Sequence, residues 1–525
     1  MTDIGMLNTV LMRGPLVSSE RAFNNEATPS IGLASIAGYL IKNDLRVTIF
    51  DPIAEGLNRI SPAPGFDGFV CHGLTFDEII EQFPDNCDVI AFSIMFSGEW
   101  PIQRELINRL RKKLPNALIV TGGEHITALT EFVLRDCSAI DVCVRGEGEQ
   151  ALLEIIEAHA DSREFDAIPS IGFLNEANEY VETSGLSRIR DIDKIPWPSW
   201  PEGYLEKFWE AGKSFGVQVG RDMPINVSRG CPYRCTFCSN PQMWTTRYVL
   251  RSVDDVIAEI EHNIKKYDID SLQFYDLTAI TKKRWAVEFC QKLIDKGIRL
   301  KWSLPSGTRS EALDQETLGL LQKAGCNYLV YAPESGSPKT LELIKKRISL
   351  DMLTESVLTA RSLGIVVRTN LIIGFPGEKP REMFRTIAYG IKLAMKGVDE
   401  VPINIFSPYP GSELFENLRT EGKANLSDQY FLALNAINTD YTAINPMTVN
   451  EYVGPRILAA LRIMAMLSNY LLGYLLYPNR IIRTLRNVYG HSGSATTVFE
   501  HRLKDARSRT TESSQTNEPK LAREH

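Results

Sequence analysis

Short apolar runs alternate with amphipathic stretches through the first 160 residues. LNTVLM, VTIFD, DVIAFSIMF and ALIVTGG are of the kind expected for strands buried on both faces. Between them, IGLASIAGYLIKN and IQRELINRLRKKL carry apolar residues at helical spacing, and TALTEFVLRD and IDVCVRGEGE continue the alternation. Such repetition predicts an α/β, doubly wound (flavodoxin/Rossmann-like) domain over residues 1–160, a parallel sheet with helices on both faces. Ligands of these sheets bind beyond the carboxyl ends of the strands.

Residues 161–221 read as a linker region, because Pro196, Pro198 and Pro201 in IPWPSWPEGYL interrupt any periodic element. The alternation resumes over residues 222–425. Six apolar strands, from PINVSRG to VPINIFSPYPG, are interleaved with helices expected at 252–266, 282–296, 311–324, 338–346 and 380–395. Six units are too few for a closed eight-fold barrel and predict a partial, open (β/α)6 TIM-type barrel. A helical region follows over residues 426–507. The polar stretch 508–525, SRTTESSQTNEPKLAREH with its preceding arginine, is expected to be a disordered tail.

Composition narrows the function classes. The chain has 525 residues, beyond the ~250–300 at which a single core stops growing. Its hydrophobic fraction of 44% is that of a globular protein. A net charge of −7 provides no basic field for a phosphate backbone, so nucleic acid is not an expected partner. The N-terminal MTDIGMLNTVLMRGPL lacks the features of a secretory signal, which points to a cytoplasmic setting with reduced thiols. No Ser-His-Asp set, carboxylate pair or phosphate loop stands out, and the catalytic residues stay unassigned.

Of nine cysteines, three sit together: Cys231-Pro-Tyr-Arg-Cys235-Thr-Phe-Cys238, a C-x3-C-x2-C loop after the strand PINVSRG. Three thiolates on one loop suit an iron-sulfur cubane, each on its own iron. Zinc would want a fourth Cys or His close by, and none follows at the usual spacing. The loop resembles that of the radical SAM superfamily, whose members carry it after the first strand of a partial barrel. That resemblance implies a [4Fe-4S] cluster with one open iron chelated by S-adenosylmethionine (SAM). Reductive cleavage of SAM then yields a 5'-deoxyadenosyl radical, fed by an electron donor such as flavodoxin or ferredoxin. It also implies a SAM-binding set at the strand ends. Phe237 lies in the loop, Asp276 in QFYDLT, Glu334 and Ser335 in YAPESG, and Gly374 and Gly377 in GFPGE. Taken alone, Asp276 and Arg309 also read as ordinary loop residues.

In the N-terminal domain, Asp51-Pro-Ile53-Ala-Glu-Gly56, Ser93-Ile-Met95 and Gly122-Gly123 resemble the D-x-H-x-x-G, S-x-L and G-G elements of cobalamin-binding domains. The residue that would ligate cobalt is Ile53, so the resemblance implies cobalamin with no histidine on the metal. His125 does not match the ligand offset and reads as a loop residue or one standing behind the site. GGEHITAL and CVRGEGEQALLEII resemble the cobalamin-dependent radical SAM branch as well.

Residues 457–477, ILAALRIMAMLSNYLLGYLLY, are apolar but interrupted by Arg462, short of the ~20 residues that a spanning helix needs. A buried helix capping the open barrel is the simpler expectation. Arg480, Arg483 and Arg486 follow at helical spacing and also suit peripheral contact with the inner face of an anionic membrane. The expected activity is methyl transfer to an unactivated carbon of a small molecule, with the apolar segment suited to shaping a pocket for an apolar one. The alternatives are the oxidative cyclisation run by the anaerobic magnesium-protoporphyrin IX monomethyl ester cyclase, and a non-catalytic corrinoid sensor or carrier.

Overall fold

The computed structural model describes residues 6–22, 27–186, 188–440, 447–490 and 495–516. The first sheet has seven strands. In spatial order they are Tyr180–Glu182, Ile171–Leu174, Val142–Val144, Leu118–Gly122, Val89–Ser93, Asn8–Arg13 and Arg46–Phe50. The last five pair in parallel, with Leu11 opposite Ile49 on one side and Ala91 on the other. Taken in chain order these five run 2-1-3-4-5, the flavodoxin-like arrangement, whose switch point lies beyond Arg13 and Ser93. Burial on both faces explains the continuous apolar runs. Leu11 joins the core under the helices Ile31–Lys42 and Gly148–Ala160, while Val10 and Met12 enter the core on the opposite face.

The expected linker is corrected in part. Residues 171–182 form an antiparallel hairpin that adds two strands to the first sheet. IGFL and YVE are too short to show a period, and the turn is held by Asn175, whose side chain accepts from Glu179 N at 2.8 Å. Further on, the helix Tyr204–Glu210 buries Tyr204, Leu205 and Phe208 in the barrel core. The proline-rich stretch crosses between the units. Ser199 N donates to Ala34 O at 2.8 Å, and Trp197 Nε1 to Asp255 Oδ1 at 3.0 Å.

The second sheet has six parallel strands in sequential order: Asp222–Ile225, Ser271–Phe274, Lys301–Thr308, Cys326–Glu334, Val366–Ile373 and Ile403–Ile405. This is the open six-unit barrel that the pattern predicts. One unit differs in detail. The helix expected at 338–346 ends at Leu343, and a second helix, Leu350–Ser362, covers the strand. Its buried stripe is narrow and includes polar Ser356, which bonds Tyr331 and Leu313 O, so its apolar period is weak.

The helix Pro455–Leu476 caps the barrel edge, packing one face against Pro380–Met395 and the strand Ile403–Ile405, but it is not the buried helix expected, since its other face is exposed. Arg462, fully buried, donates to Ile437 O at 2.6 Å and to Asp440 O at 3.2 Å. At the amino end of the barrel, Glu400 accepts from Val498 N, Phe499 N and Tyr328 Oη. The last helix, Val498–Thr516, starts there and corrects the disordered-tail expectation up to Thr516. A helix anchored at its start propagates by one hydrogen bond per residue, and no proline intervenes before Pro519. The remainder of that tail, residues 517–525, lies outside the described residues.

Candidate active site at the junction of two domains

The cysteine loop is fixed from below by Asp276. Its buried carboxylate accepts from Val227 N at 3.0 Å, Ser228 N at 2.5 Å and Ser228 Oγ at 2.6 Å, tying the second barrel strand to the chain that leaves the first. Asp276, expected near SAM, is thus spent on the loop's backbone. Gly230, at φ 82°, turns the chain where a side chain would collide with Arg247 O. Further along, Thr236 N donates to Ile344 O at 3.1 Å and Leu414 N to Thr236 O at 2.9 Å.

Cys231, Cys235 and Cys238 are all partly exposed, whereas Cys71, Cys87, Cys137, Cys143, Cys290 and Cys326 are buried. Burial pushes the Cys238 thiol up to about 12. Cys235 is raised by burial too, with Lys346 and Arg309 opposing. Among the described residues no three His, Cys, Asp or Glu side chains converge on a single ion. A cubane asks for no such convergence, since it takes one thiolate on each of three irons, and three cysteines on one loop suit it in chemistry.

Around the loop stand charged groups in unusual burial. Glu334, at φ 66°, pairs with Lys346 at 3.2 Å, both about nine-tenths buried. The Arg309 guanidinium lies 3.6 Å from the Tyr233 ring centroid and bonds Glu311 and Arg347 O, while its buried Nη1 has no hydrogen-bond partner among the described residues. An amino acid carboxylate suits Lys346 and the unused Arg309 N–H, and its ammonium suits Glu334. This donor set fits the methionine part of SAM. Lys346 escaped the sequence reading, because within ELIKKR it looks like any surface lysine.

The other strand-end residues form the frame. Phe237 lies 5.8 Å from Phe375, which lies 5.0 Å from Phe406, an aromatic chain from the cysteine loop to the fifth and sixth strands. Ser335 Oγ pairs with Thr386 Oγ1 at 2.7 Å and accepts from Ser337 N at 3.0 Å. Gly374 and Gly377 take φ of 88° and 74° in a turn closed by Glu378, which accepts from Gly374 N at 2.7 Å and Phe375 N at 3.2 Å. Burial pushes Glu378 up to about 7.

In the first domain, Asp51 caps the short helix Pro52–Glu55 through Ile53 N. The carboxylate also accepts from Arg13 at 2.8 Å and from Tyr204 Oη at 2.6 Å. Ile53 is buried against the barrel core, and Gly56 lets the chain pass tightly over Gly73. Ser93 ends the third strand, and Met95 stands exposed beyond it. A Cβ at Gly122 would only touch Val144, while at Gly123, with φ 111°, a side chain would strike Ile94 O. The bare Gly-Gly backbone, the exposed apolar Met95 and an apolar Ile53 fit a corrinoid without a protein histidine on cobalt. His125 is a core residue, not a loop one: it bonds Ser97 Oγ at 3.0 Å, packs on Trp100 and Phe431, and is held down to about 3 by burial.

The two sets of residues meet. Glu124, directly after Gly123, accepts from Ser239 Oγ, directly after Cys238. On the other flank Arg229, two residues before Cys231, pairs with Glu149 and Glu147 of the first domain.

Residues 225–389 match the radical SAM superfamily, and residues 25–156 match the B12 binding domain. The chain thus carries a radical SAM domain and a B12-binding domain, and its relatives are cobalamin-dependent radical SAM enzymes. An uncharacterized methyltransferase of Pyrococcus horikoshii is 28% identical over 472 residues, 89% of this chain and 93% of that one. The cytidylyl-2-hydroxyethylphosphonate methyltransferase of Streptomyces wedmorensis is 29% identical, covering 79% of this chain and 82% of its own. The radical SAM methyltransferase TsrM of Kitasatospora setae, solved with cobalamin and a [4Fe-4S] cluster, has the same fold. Its TM-score is 0.67 at 14% identity, and the match covers 97% of this chain and 100% of TsrM.

The radical SAM and B12-binding domains bring SAM, the iron-sulfur cluster and cobalamin as cofactors. Sequence reading identified both halves but not the contacts that join them. Glu124 and Ser239 are separated by 115 positions and carry no mutual signal in the chain.

Proposed function

We propose that this cobalamin-dependent radical SAM enzyme is a C-methyltransferase acting on an unactivated carbon of a small, apolar molecule. Cys231, Cys235 and Cys238 would hold the [4Fe-4S] cluster; Phe237, Glu334, Ser335, Gly374 and Gly377, with Lys346 and Arg309, would line the SAM site. The Asp51, Ile53, Gly56, Ser93, Met95, Gly122 and Gly123 elements would hold cobalamin. Bound together, these groups supply a carbon radical and a transferable methyl. The chain's own part is to seat them face to face and keep water out. The reading rests on one observation above the rest: Glu124 and Ser239 lock the Gly-Gly loop of the first domain to the cysteine loop of the second. The enzyme would work in the cytoplasm, taking electrons from flavodoxin or ferredoxin.

The test supplies SAM carrying a deuterated methyl group under reducing, anaerobic conditions. A methyltransferase gives a labelled product with 5'-deoxyadenosine and S-adenosylhomocysteine in the same turnover. An altered but unlabelled product, formed without S-adenosylhomocysteine, assigns cyclase-type chemistry instead, and corrinoid binding without SAM cleavage assigns a sensor or carrier.

A second expectation concerns cobalt. Because Ile53 is apolar and His125 is sealed in the core, the Co(II) form should show no nitrogen superhyperfine splitting in paramagnetic resonance. Splitting from a protein nitrogen would place a ligand that neither residue supplies.

A further inference from the structure

The C-terminal helices leave one side of the barrel apolar and open. On Pro455–Leu476, the inward face carries Leu458, Arg462, Ala465 and Asn469. The opposite face carries Ile457, Met464, Leu467, Leu471 and Leu475, each 56–66% exposed. At 100° per residue these five fall within one narrow stripe. The next helix, Asn479–Tyr489, follows after only Tyr477 and Pro478 and exposes Ile481, Ile482, Leu485 and Tyr489. Nine large apolar side chains on two consecutive helices thus face solvent, unlike the singly scattered ones of an ordinary surface.

Charge selects the occupant. Between Glu451 and Glu500 there is no Asp or Glu, while five arginines occur. Arg462 is buried, and Arg480 and Arg483 pair with Asp399, Arg483 also with Glu500. Arg456 and Arg486 are exposed and have no carboxylate partner among the described residues. A second copy docked by two-fold symmetry would set this acid-free surface against itself. An anionic lipid headgroup layer complements it, with the apolar stripe in the acyl boundary. Spanning is excluded by packing, since Arg462 and Asn469 in mid-helix are bonded to Ile437 O and Val401 O.

We infer that the helices Pro455–Leu476 and Asn479–Tyr489 form a docking face for an anionic lipid bilayer, lying on it rather than crossing it. The upper end of the face adjoins the active site. Leu458 packs over Gly374, and Gly377 N donates to Glu451 just before the helix. The mouth of the barrel therefore lies near the plane of the bilayer.

The test is cosedimentation of the full-length protein with vesicles of phosphatidylcholine alone and of phosphatidylcholine mixed with phosphatidylglycerol, at low and high salt. Binding to the mixed vesicles is expected, weakened by salt, with far less on the neutral ones. Replacing Leu467 and Leu471 together by aspartate should cut binding more than tenfold, and the milder L467Q/L471Q pair should cut it several-fold. Both sites are exposed, so melting temperature should hold. Arg456→Gln and Arg486→Gln should each weaken binding by about fivefold, the equivalent of ~1 kcal/mol per basic residue at an anionic surface. Absence of lipid binding overturns the inference, as does equal binding to both vesicle types. A lipid-free dimer that L467D/L471D dissociates would also overturn it and assign the face to a second copy. None of these readouts depends on the cofactors.

Discussion

Alanine at any one of Cys231, Cys235 or Cys238 should reduce SAM cleavage to background and strip the [4Fe-4S] cluster, measured as iron and sulfide after anaerobic reconstitution. These three cysteines share one loop and are partly exposed, and a cubane that loses one of three protein thiolates is left with two open irons. The other six cysteines make the control. Each is buried in a core, so alanine there should cost on the order of 1 kcal/mol of packing and spare the cluster. Retention of cluster and cleavage in a single Cys231, Cys235 or Cys238 variant would overturn the assignment of the loop.

The second large effect is expected at Asp276, where no cofactor contact is involved. Asp276→Ala leaves the Val227 and Ser228 amides buried without an acceptor, at a cost of about 1–3 kcal/mol each. Thermal denaturation should show a destabilisation of about 2–6 kcal/mol, summed over the two amides. Because these amides lie three and four residues before Cys231, cluster content should fall as well. Asp276→Asn should recover only part of the loss, since the amide has one acceptor oxygen and turns an NH2 toward groups that also donate. Unchanged stability and iron content in Asp276→Ala would remove its role as the clamp beneath the loop.

Asp276 also marks the line between what the chain discloses and what folding adds. Its place after the second barrel strand was legible from the apolar run SLQF, but its partner was not. Val227 and Ser228 lie 49 and 48 positions away, and no local period relates them. The same holds for Glu124 with Ser239. Patterns of period 2 and 3.6 reveal elements, and a C-x3-C-x2-C spacing reveals a donor set, because both are local. The doubly wound sheet, the six-strand barrel and the cysteine triplet were therefore readable. The hairpin at residues 171–182 was not, its strands being shorter than one useful period, and the helix Leu350–Ser362 was hidden by a polar residue on its buried face. Lys346 is a different case. Its residue type is common on surfaces, and only the fold turns it inward toward Glu334.

The clasp at the foot of the barrel governs the order in which the protein can be built. Glu400 sits at the start of the sixth strand, yet the amides that it accepts from, on Val498 and Phe499, lie about a hundred residues later, as does the Val498 side chain that closes over Val217, Tyr328 and Val330. A ribosome adding ~5–20 residues per second needs roughly 5–20 s to make that length. Through this interval all six strands have been synthesised while the floor of the barrel is uncovered. A nascent chain halted after residue 490 would carry both cofactor loops but leave those apolar side chains, and the Glu400 carboxylate among them, open to solvent or to a chaperone.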